Sequence, residues 1–168
     1  MCHSLAEMLV RRACPHNKKV TALSDVARES LIPLGNGLLC QVLPGQHVSV
    51  LCVDDNSGVL NFLKAAFAAS AYNVETAQNG SVALQKLSKD PNRFQVIVTD
   101  LRMPRLDGFG LIEQSRANGY AGPFVIYAAS IDPNDRQRLS ELGVRRVIDK
   151  PASAGELIAA VKEVQTGF

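Results

Sequence analysis

The pattern of apolar and polar residues changes at about residue 48, where a regular alternation begins. Five short apolar runs then alternate with five longer stretches in which apolar residues recur at helical spacing. Near-continuous Val, Ile and Leu in the short runs indicates strands covered on both faces, which is typical of a parallel sheet. The predicted strands are residues 48–53, 74–77, 95–99, 124–128 and 146–148, and the predicted helices are residues 56–70, 79–88, 108–118, 133–142 and 153–165.

This alternation predicts an α/β fold made of five βα units. Because crossovers between parallel strands are right-handed, the units form a (βα)5 three-layer sandwich, and we expect the flavodoxin-like, doubly wound strand order 2-1-3-4-5. The second run is short and more polar than the others, as expected of an edge strand. In such a sheet ligands bind beyond the carboxyl ends of the strands where the strand order reverses, here between strands 1 and 3.

Several residues at the helix ends support these boundaries. Asn56 or Ser57 is suited to cap the first helix, and Asp107 followed by Gly108 is suited to start the third. Gly119 and Gly143 follow the third and fourth helices, where glycine commonly ends a helix.

Residues 1–47 differ in composition from the rest of the chain. Residues 4–13 and 24–31 could form short amphipathic helices, but repeated Pro and Gly interrupt the segment. We expect a poorly ordered or partly helical N-terminal extension, followed by one domain over residues 48–168. The segment contains four soft metal ligands, but their spacing is not that of a zinc module: Cys2, His3, Cys14 and His16.

Composition and charge argue against several functional classes. The chain has 168 residues, 46% hydrophobic and 20% charged, with a formal net charge of +2. Residues 48–168 contain 13 basic and 13 acidic residues, so the predicted domain is neutral and offers no electrostatic support for nucleic-acid binding. No stretch reaches the roughly 20 apolar residues of a membrane span, and Cys52 is most simply a small apolar filler of a strand. We therefore expect a cytoplasmic protein with no membrane or nucleic-acid partner.

Charged residues follow three of the predicted strands. Asp54 and Asp55 come directly after strand 1, Asp100 after strand 3 and Lys150 after strand 5. Three converging carboxylates repel one another unless a cation is present, and Mg²⁺ prefers oxygen ligands while leaving positions open for phosphate oxygens. The sequence therefore predicts an acidic Mg²⁺ site with one lysine as a point charge.

Asp100 is the best candidate for a nucleophile in this group. It stands alone, ends the most apolar strand and lies between the acidic pair and the lysine, so it could take a phosphoryl group as an acyl phosphate. Each motif by itself also has a plain structural explanation, since Asp54, Asp55 and Asp100 could cap turns and Lys150 could be solvated. Their coincidence on strands 1, 3 and 5 favours the functional interpretation.

Residues 48 to about 166 resemble the receiver domain of bacterial two-component response regulators. The motifs on which the resemblance rests are LCVDDN at residues 51–56, VTDLRMPRLDG at residues 98–108 and DKP at residues 149–151.

The resemblance implies a role for each residue of the acidic group. Asp100 would be the phospho-acceptor, and Asp54 and Asp55 would hold Mg²⁺ together with Asp100 and the backbone carbonyl of Arg102. Lys150 would pair with the acceptor or its phosphate. The peptide bond between Lys150 and Pro151 would be cis. The phosphoryl donor would be a sensor histidine kinase or a phosphotransfer protein.

Two positions depart from the family pattern. Receivers normally end strand 4 with a Ser or Thr, and here that position is Ala128, with Ser130 two residues further on. The family's aromatic switch residue is replaced by Val147. A bound phosphate would lack one hydrogen-bond donor, so we expect intact acceptor chemistry but weak or altered switching.

The residues allow four functions to be compared. The leading prediction is a stand-alone receiver, a monomer or weak homodimer, that acts on a downstream protein target and is not an enzyme except in assisting its own phosphorylation and dephosphorylation. The alternative is a phosphorylation-independent interaction module, which the changes at Ala128 and Val147 favour. A phosphatase of the haloacid dehalogenase type would need a second Asp at position 102, where this chain has Arg. A flavin-binding protein is disfavoured because the loop after strand 1 is acidic and would repel the phosphate of the flavin.

Overall fold

The computed structural model describes residues 31–33, 39–41 and 48–166. Residues 48–166 contain five strands and five helices in the predicted alternation. The strands are β1 (Ser49–Val53), β2 (Asn73–Ala77), β3 (Val96–Thr99), β4 (Phe124–Ala128) and β5 (Arg146–Asp149). The helices are α1 (Ser57–Ala68), α2 (Gly80–Leu87), α3 (Gly108–Ala117), α4 (Pro133–Glu141) and α5 (Ala154–Thr166).

The chain divides into two units, Met1–Gln46 and His47–Phe168. In the first unit, Leu31–Pro33 pairs with Leu39–Gln41 in an antiparallel arrangement that the sequence did not predict. Of the possible short helix over residues 24–31, only Leu31 is among the described residues, and it lies in this strand. The next residue, Ile32, precedes Pro33, and a residue before proline is disfavoured in helical conformation. The predicted helix over residues 4–13 and the ligand set of Cys2, His3, Cys14 and His16 lie outside the described residues.

All five strands of the second unit are parallel, in the order β2-β1-β3-β4-β5. The predicted fold class and strand order are therefore confirmed. The more polar β2 lies at an edge of the sheet, and the three inner strands, β1, β3 and β4, are buried along almost their whole length. The reversal of strand order thus falls between β1 and β3, where parallel doubly wound sheets form their binding crevice.

The apolar core consists of two clusters, one on each face of the sheet, because successive side chains of a strand point to opposite faces. One face packs against α2, α3 and α4, and its largest fully buried side chains include Leu51, Ile97, Leu111, Ile126 and Leu139. The other face packs against α1 and α5, and its buried residues include Val50, Cys52, Phe67, Val98, Tyr127 and Leu157. Cys52 is fully buried in this second cluster, as predicted.

The helix ends follow the expected local chemistry. Asn56 caps α1, its side-chain oxygen accepting from Gly58 N at 2.8 Å, and Asp107 caps α3, its carboxylate accepting from Gly110 N at 2.8 Å. Gly119 and Gly143 follow α3 and α4 with φ of 89° and 75°, conformations that favour glycine. The predicted stops of α3 and α4 are therefore confirmed.

Gly108 allows the start of α3 to lie directly against the loop that contains Asp100. A Cβ at residue 108 would lie 2.4 Å from the Asp100 carbonyl oxygen and 2.9 Å from Leu101 Cα. Both atoms belong to the backbone, so relief requires the loop to move. We expect Gly108→Ala to lower the free energy of unfolding by about 2 kcal/mol or more, measured by urea denaturation.

Gly155→Ala is the matched control for this prediction. A Cβ there meets Ser153 Oγ at 3.9 Å, an ordinary contact, and Gly155 lies within α5. Since alanine favours the helix more than glycine does, this change should leave the stability equal or slightly higher. Equal effects of the two substitutions would contradict the packing argument.

Candidate functional site

The parallel ladder places three of the candidate residues at one edge of the sheet. Asp54 N donates to Ala77 O at 3.1 Å, Asp100 N to Val53 O at 2.9 Å, and Lys150 N to Ala128 O at 2.8 Å. Each residue is thus held by a backbone hydrogen bond just beyond its strand. The side chains share the carboxyl edge because the strands all run in the same direction.

Three carboxylates converge there. Oxygens of Asp54, Asp55 and Asp100 all lie within 4.8 Å of one another. Asp54 is 1% exposed and Asp100 9% exposed, whereas Asp55 is open to solvent. The cluster is therefore buried on one side and accessible on the other, as a site that exchanges a ligand with solvent requires.

Lys150 joins the two buried carboxylates. Its Nζ lies 2.6 Å from Asp54 Oδ2 and 3.1 Å from Asp100 Oδ2. The expected cis peptide bond between Lys150 and Pro151 is present. If all four groups are ionised, three carboxylates and one ammonium leave the cluster with two net negative charges.

The second oxygen of each buried carboxylate accepts a hydrogen bond from the backbone. Asp54 Oδ1 accepts from Asn56 N at 2.9 Å, and Asp100 Oδ1 accepts from Leu101 N at 2.7 Å. These bonds fix the rotation of both carboxylates, so Oδ2 of each faces the lysine. The backbone therefore sets the orientation of both carboxylates in the pocket.

Burial and charge act in opposite directions on the titrating groups. Burial raises the pKa of Asp54, aided by the charge of Asp100 and opposed by the hydrogen bond from Lys150. Burial would lower the pKa of Lys150, but hydrogen bonds and charge from Asp54 and Asp100 outweigh it and the net shift is upward. The lysine is therefore a permanent cation at neutral pH.

The donor set fits a hard divalent cation. Mg²⁺ prefers carboxylate and carbonyl oxygens and is usually bound through one or two carboxylates plus water and phosphate. A divalent ion would also balance the charge that the cluster has when all four of its groups are ionised. Binding by Asp54, Asp55, Asp100 and the Arg102 carbonyl stays a prediction that this geometry supports.

The two positions that depart from the family pattern lie on the neighbouring strands β4 and β5. Ala128 is 1% exposed at the end of β4, and Val147 is a half-buried residue of β5 that packs against the core. Ser130 is exposed, two residues beyond the end of β4. Neither substituted side chain offers a hydroxyl or an aromatic ring to the pocket.

Two side chains near the site have contacts that the sequence interpretation missed. The Arg102 guanidinium donates to Asp135 Oδ2 at 2.8 Å, so it joins the loop after Asp100 to the first turn of α4. The Tyr127 ring lies beneath the Lys150 ammonium, 5.3 Å from the ring centroid. The only sequence signal for the second contact was an aromatic residue directly before Ala128 on a buried strand.

Among the described residues, none of the helices has the length and apolar character needed to cross a lipid bilayer.

A family model described as the response regulator receiver domain matches residues 50–162. Response regulator MprA of Mycolicibacterium vanbaalenii is 32% identical over 115 residues, which is 68% of this chain and 49% of that protein. Transcriptional regulatory protein PrrA of Mycobacterium tuberculosis is 36% identical over 113 residues, 67% of this chain and 48% of that protein. The chain thus spans about half the length of the curated relatives it matches.

Solved structures agree with the family match. The chemotaxis protein CheY4 of Vibrio cholerae superposes with a TM-score of 0.65 at 28% identity, covering 70% of this chain and 98% of that one. The non-phosphorylated HemR receiver domain of Leptospira biflexa gives a TM-score of 0.66 at 30% identity, covering 72% and 96%. The acidic motifs, the strand order and these matches agree, and the chain belongs to the response regulator receiver domain family.

Proposed function

We propose that this chain accepts a phosphoryl group on Asp100 in a Mg²⁺-dependent reaction of two-component signalling. The observation that supports this most strongly is the position of Asp100, 3.1 Å from the Lys150 ammonium and clustered with Asp54 and Asp55. A carboxylate held between a cation-binding pair and a fixed ammonium is suited to attack phosphorus. The donor would be a phosphohistidine on a sensor histidine kinase or a phosphotransfer protein.

The residues of the chain have distinct parts in this reaction. An Asp100 oxygen forms the new O–P bond while the P–N bond to the donor imidazole breaks, and the imidazole leaves with the electron pair of that bond. Lys150 stays protonated and offsets negative charge on the transferring group. The Leu101 N–H holds Asp100 Oδ1 at 2.7 Å, so Oδ2 is the oxygen that faces the lysine.

Asp54, Asp55, Asp100 and the backbone carbonyl of Arg102 are the proposed metal ligands. When bound, Mg²⁺ would neutralise the carboxylates and orient the phosphoryl oxygens. Asp54 is buried and held by Asn56 N, whereas Asp55 is exposed and free to adjust to the ion. The acid most open to solvent is thus the natural first contact for an entering cation.

Asp55→Asn should separate metal binding from folding. Because Asp55 is exposed, its loss should change the free energy of unfolding in the absence of Mg²⁺ by less than about 0.5 kcal/mol. Losing one carboxylate ligand should weaken Mg²⁺ binding about tenfold or more, measured by titration calorimetry. Asp90→Asn, an exposed acid that follows α2, is the control and should leave the affinity unchanged. Equal affinities of Asp55→Asn and the wild type would contradict the proposed ligand set.

The proposed output is a contact with a downstream protein, made in the cytoplasm by a monomer or weak homodimer. Equal numbers of acidic and basic residues over residues 48–168 support a protein target rather than nucleic acid. The Arg102–Asp135 ion pair at 2.8 Å offers one physical connection between the acidic pocket and α4. In this proposal the chain acts on no external substrate and assists only its own phosphorylation and dephosphorylation.

Mass spectrometry provides the direct test. The protein is incubated with a small phosphoryl donor, such as acetyl phosphate, in Mg²⁺ and in parallel with a chelator. We expect a mass gain of one phosphoryl group that requires Mg²⁺, survives acid and is lost in base, as an acyl phosphate is. Absence of the gain at saturating Mg²⁺ and donor would overturn the proposal.

A second candidate is a receiver-like module that binds its partner whether or not it is phosphorylated. It is favoured by Ala128, which has no hydroxyl to contact a phosphate, and by the half-buried Val147. A ligand shifts a conformational equilibrium only through contacts that differ between the two states. If this module is correct, amide NMR spectra with and without phosphorylation should differ only around the pocket, whereas changes that reach Val147 would favour a switch.

A further inference from the structure

Tyr127 makes contacts on both sides of the Lys150–Pro151 peptide. Its side chain is 5% exposed and belongs to the core cluster beneath α1 and α5. The Lys150 ammonium lies 5.3 Å from the ring centroid, within the range at which an aromatic face attracts a cation. The Tyr127 hydroxyl accepts a hydrogen bond from Ala152 N at 3.4 Å.

The register of the sheet places Tyr127 between Lys150 and Asp100. Thr99 pairs with Ile126, so Asp100 is level with Tyr127 on the neighbouring strand. On its other side Tyr127 pairs with Ile148 of β5, two residues before Lys150. The lysine side chain must therefore extend back across β4 to reach Asp100, and the aromatic ring lies under its path.

This contact addresses a physical problem of the site. A lysine has a flexible four-carbon stem and a compact charge, so holding its ammonium in one place costs side-chain entropy. Lys150 Nζ is closer to Asp54 than to Asp100, at 2.6 Å against 3.1 Å. A rigid aromatic surface beneath the stem limits the positions that the ammonium can occupy between these two acids.

We propose that Tyr127 is a positioning residue that holds the Lys150 ammonium at Asp100, through its ring and through its hydrogen bond to Ala152 N. This inference deepens the proposed function and rests on it, because the consequence of the contact is faster phosphoryl uptake by Asp100. The ring contributes more to this positioning than the hydroxyl does, because the ammonium lies over the ring face whereas the hydrogen bond from Ala152 N to the hydroxyl is long, at 3.4 Å.

The test compares Tyr127→Leu with Tyr127→Phe, using acetyl phosphate as donor at saturating Mg²⁺. A cation–aromatic contact in a partly desolvated site contributes about 1 to 2 kcal/mol, so loss of the ring should slow uptake per folded molecule about fivefold to thirtyfold. Tyr127→Phe keeps the ring and should remain close to the wild-type rate. The Mg²⁺ affinity should be unchanged in both variants.

Phe67→Leu is the control for general loss of packing. Phe67 is fully buried in the same core cluster, on α1. Phe67→Leu should lower the free energy of unfolding, as Tyr127→Leu should, but it should leave the rate of phosphoryl uptake per folded molecule unchanged. If Tyr127→Leu does the same, Tyr127 is only a core residue and the inference is overturned.

A second readout does not depend on phosphorylation. Protons near the ammonium of Lys150 lie over the Tyr127 ring, so their NMR resonances should be displaced upfield by the ring current in the wild type and in Tyr127→Phe, but not in Tyr127→Leu. Equal Lys150 resonances in all three proteins would overturn the inference. A wild type that shows the ring-current shift but takes up no phosphoryl group would instead contradict the proposed function.

Discussion

Asp100→Asn is expected to abolish phosphoryl uptake from a small donor while the domain stays folded. An amide oxygen is a far weaker nucleophile than a carboxylate and cannot form a stable acyl phosphate. The amide is nearly the same size, and its oxygen can still accept the Leu101 N–H bond that Asp100 Oδ1 accepts at 2.7 Å. The measurement is the intact mass after incubation with acetyl phosphate and Mg²⁺.

The stability of this variant provides its control. The substitution removes one of three clustered carboxylates and one partner of Lys150, two effects of opposite sign, so we expect the free energy of unfolding to change by no more than about 1 kcal/mol. A folded Asp100→Asn protein that still gains a base-labile phosphoryl group would move the acceptor role to another acid, with Asp54 the nearest buried candidate.

Lys150→Met should be strongly destabilising without Mg²⁺. The change leaves Asp54, which is 1% exposed, without a side-chain cation at hydrogen-bond distance among the residues that the structure describes. Removing one partner of a buried ion pair costs about 3 to 5 kcal/mol. We expect the free energy of unfolding, measured by urea denaturation, to fall by about 3 kcal/mol, at the lower end of this range. Burial raises the pKa of Asp54, so the unpaired carboxylate can take up a proton and become neutral.

Mg²⁺ should reverse much of this loss. Saturation at about 100 times the dissociation constant stabilises a folded protein by about 2.7 kcal/mol through mass action alone. In Lys150→Met the ion would also replace the missing positive charge, so the stability gap to wild type should narrow as Mg²⁺ is added. Lys162→Met, an exposed lysine of α5, is the matched control and should have little effect. A gap that is the same at every Mg²⁺ concentration would contradict a shared cation site.

The N-terminal half of the sheet was predictable because its strands are almost purely apolar. The run that forms β1 and the run that forms β3 have no polar residue between their ends that could point to water, so only a doubly covered parallel strand suits them. The edge position of β2 was predictable because its run is short and more polar than the others, and in the structure most residues of β2 are only partly buried or exposed. The observed helix boundaries differ from the predicted ones by one or two residues. The first helix was predicted to end at residue 70, but α1 ends at Ala68, before a turn in which Ala71 has a φ of 61°.

The acidic cluster was also predictable, for a topological reason. Once β1 and β3 are neighbouring parallel strands, the residues directly after them must lie side by side, because the ladder continues from Val53 O to Asp100 N. Lys150 follows from the same argument on β5, two strands from β3, and its long stem spans the distance to Asp54 and Asp100.

The sequence by itself thus determined the fold class, the strand order and the convergence of Asp54, Asp55, Asp100 and Lys150. These depend on the apolar period and on the position of each charge relative to a strand end, both of which are local in the chain. Only the tertiary structure decided which carboxylate oxygen faces the lysine, that Arg102 pairs with Asp135, and that the Tyr127 ring lies under Lys150. Those contacts depend on side-chain rotamers and on the register between strands whose paired residues are 21 or more apart in sequence, and no local pattern specifies them.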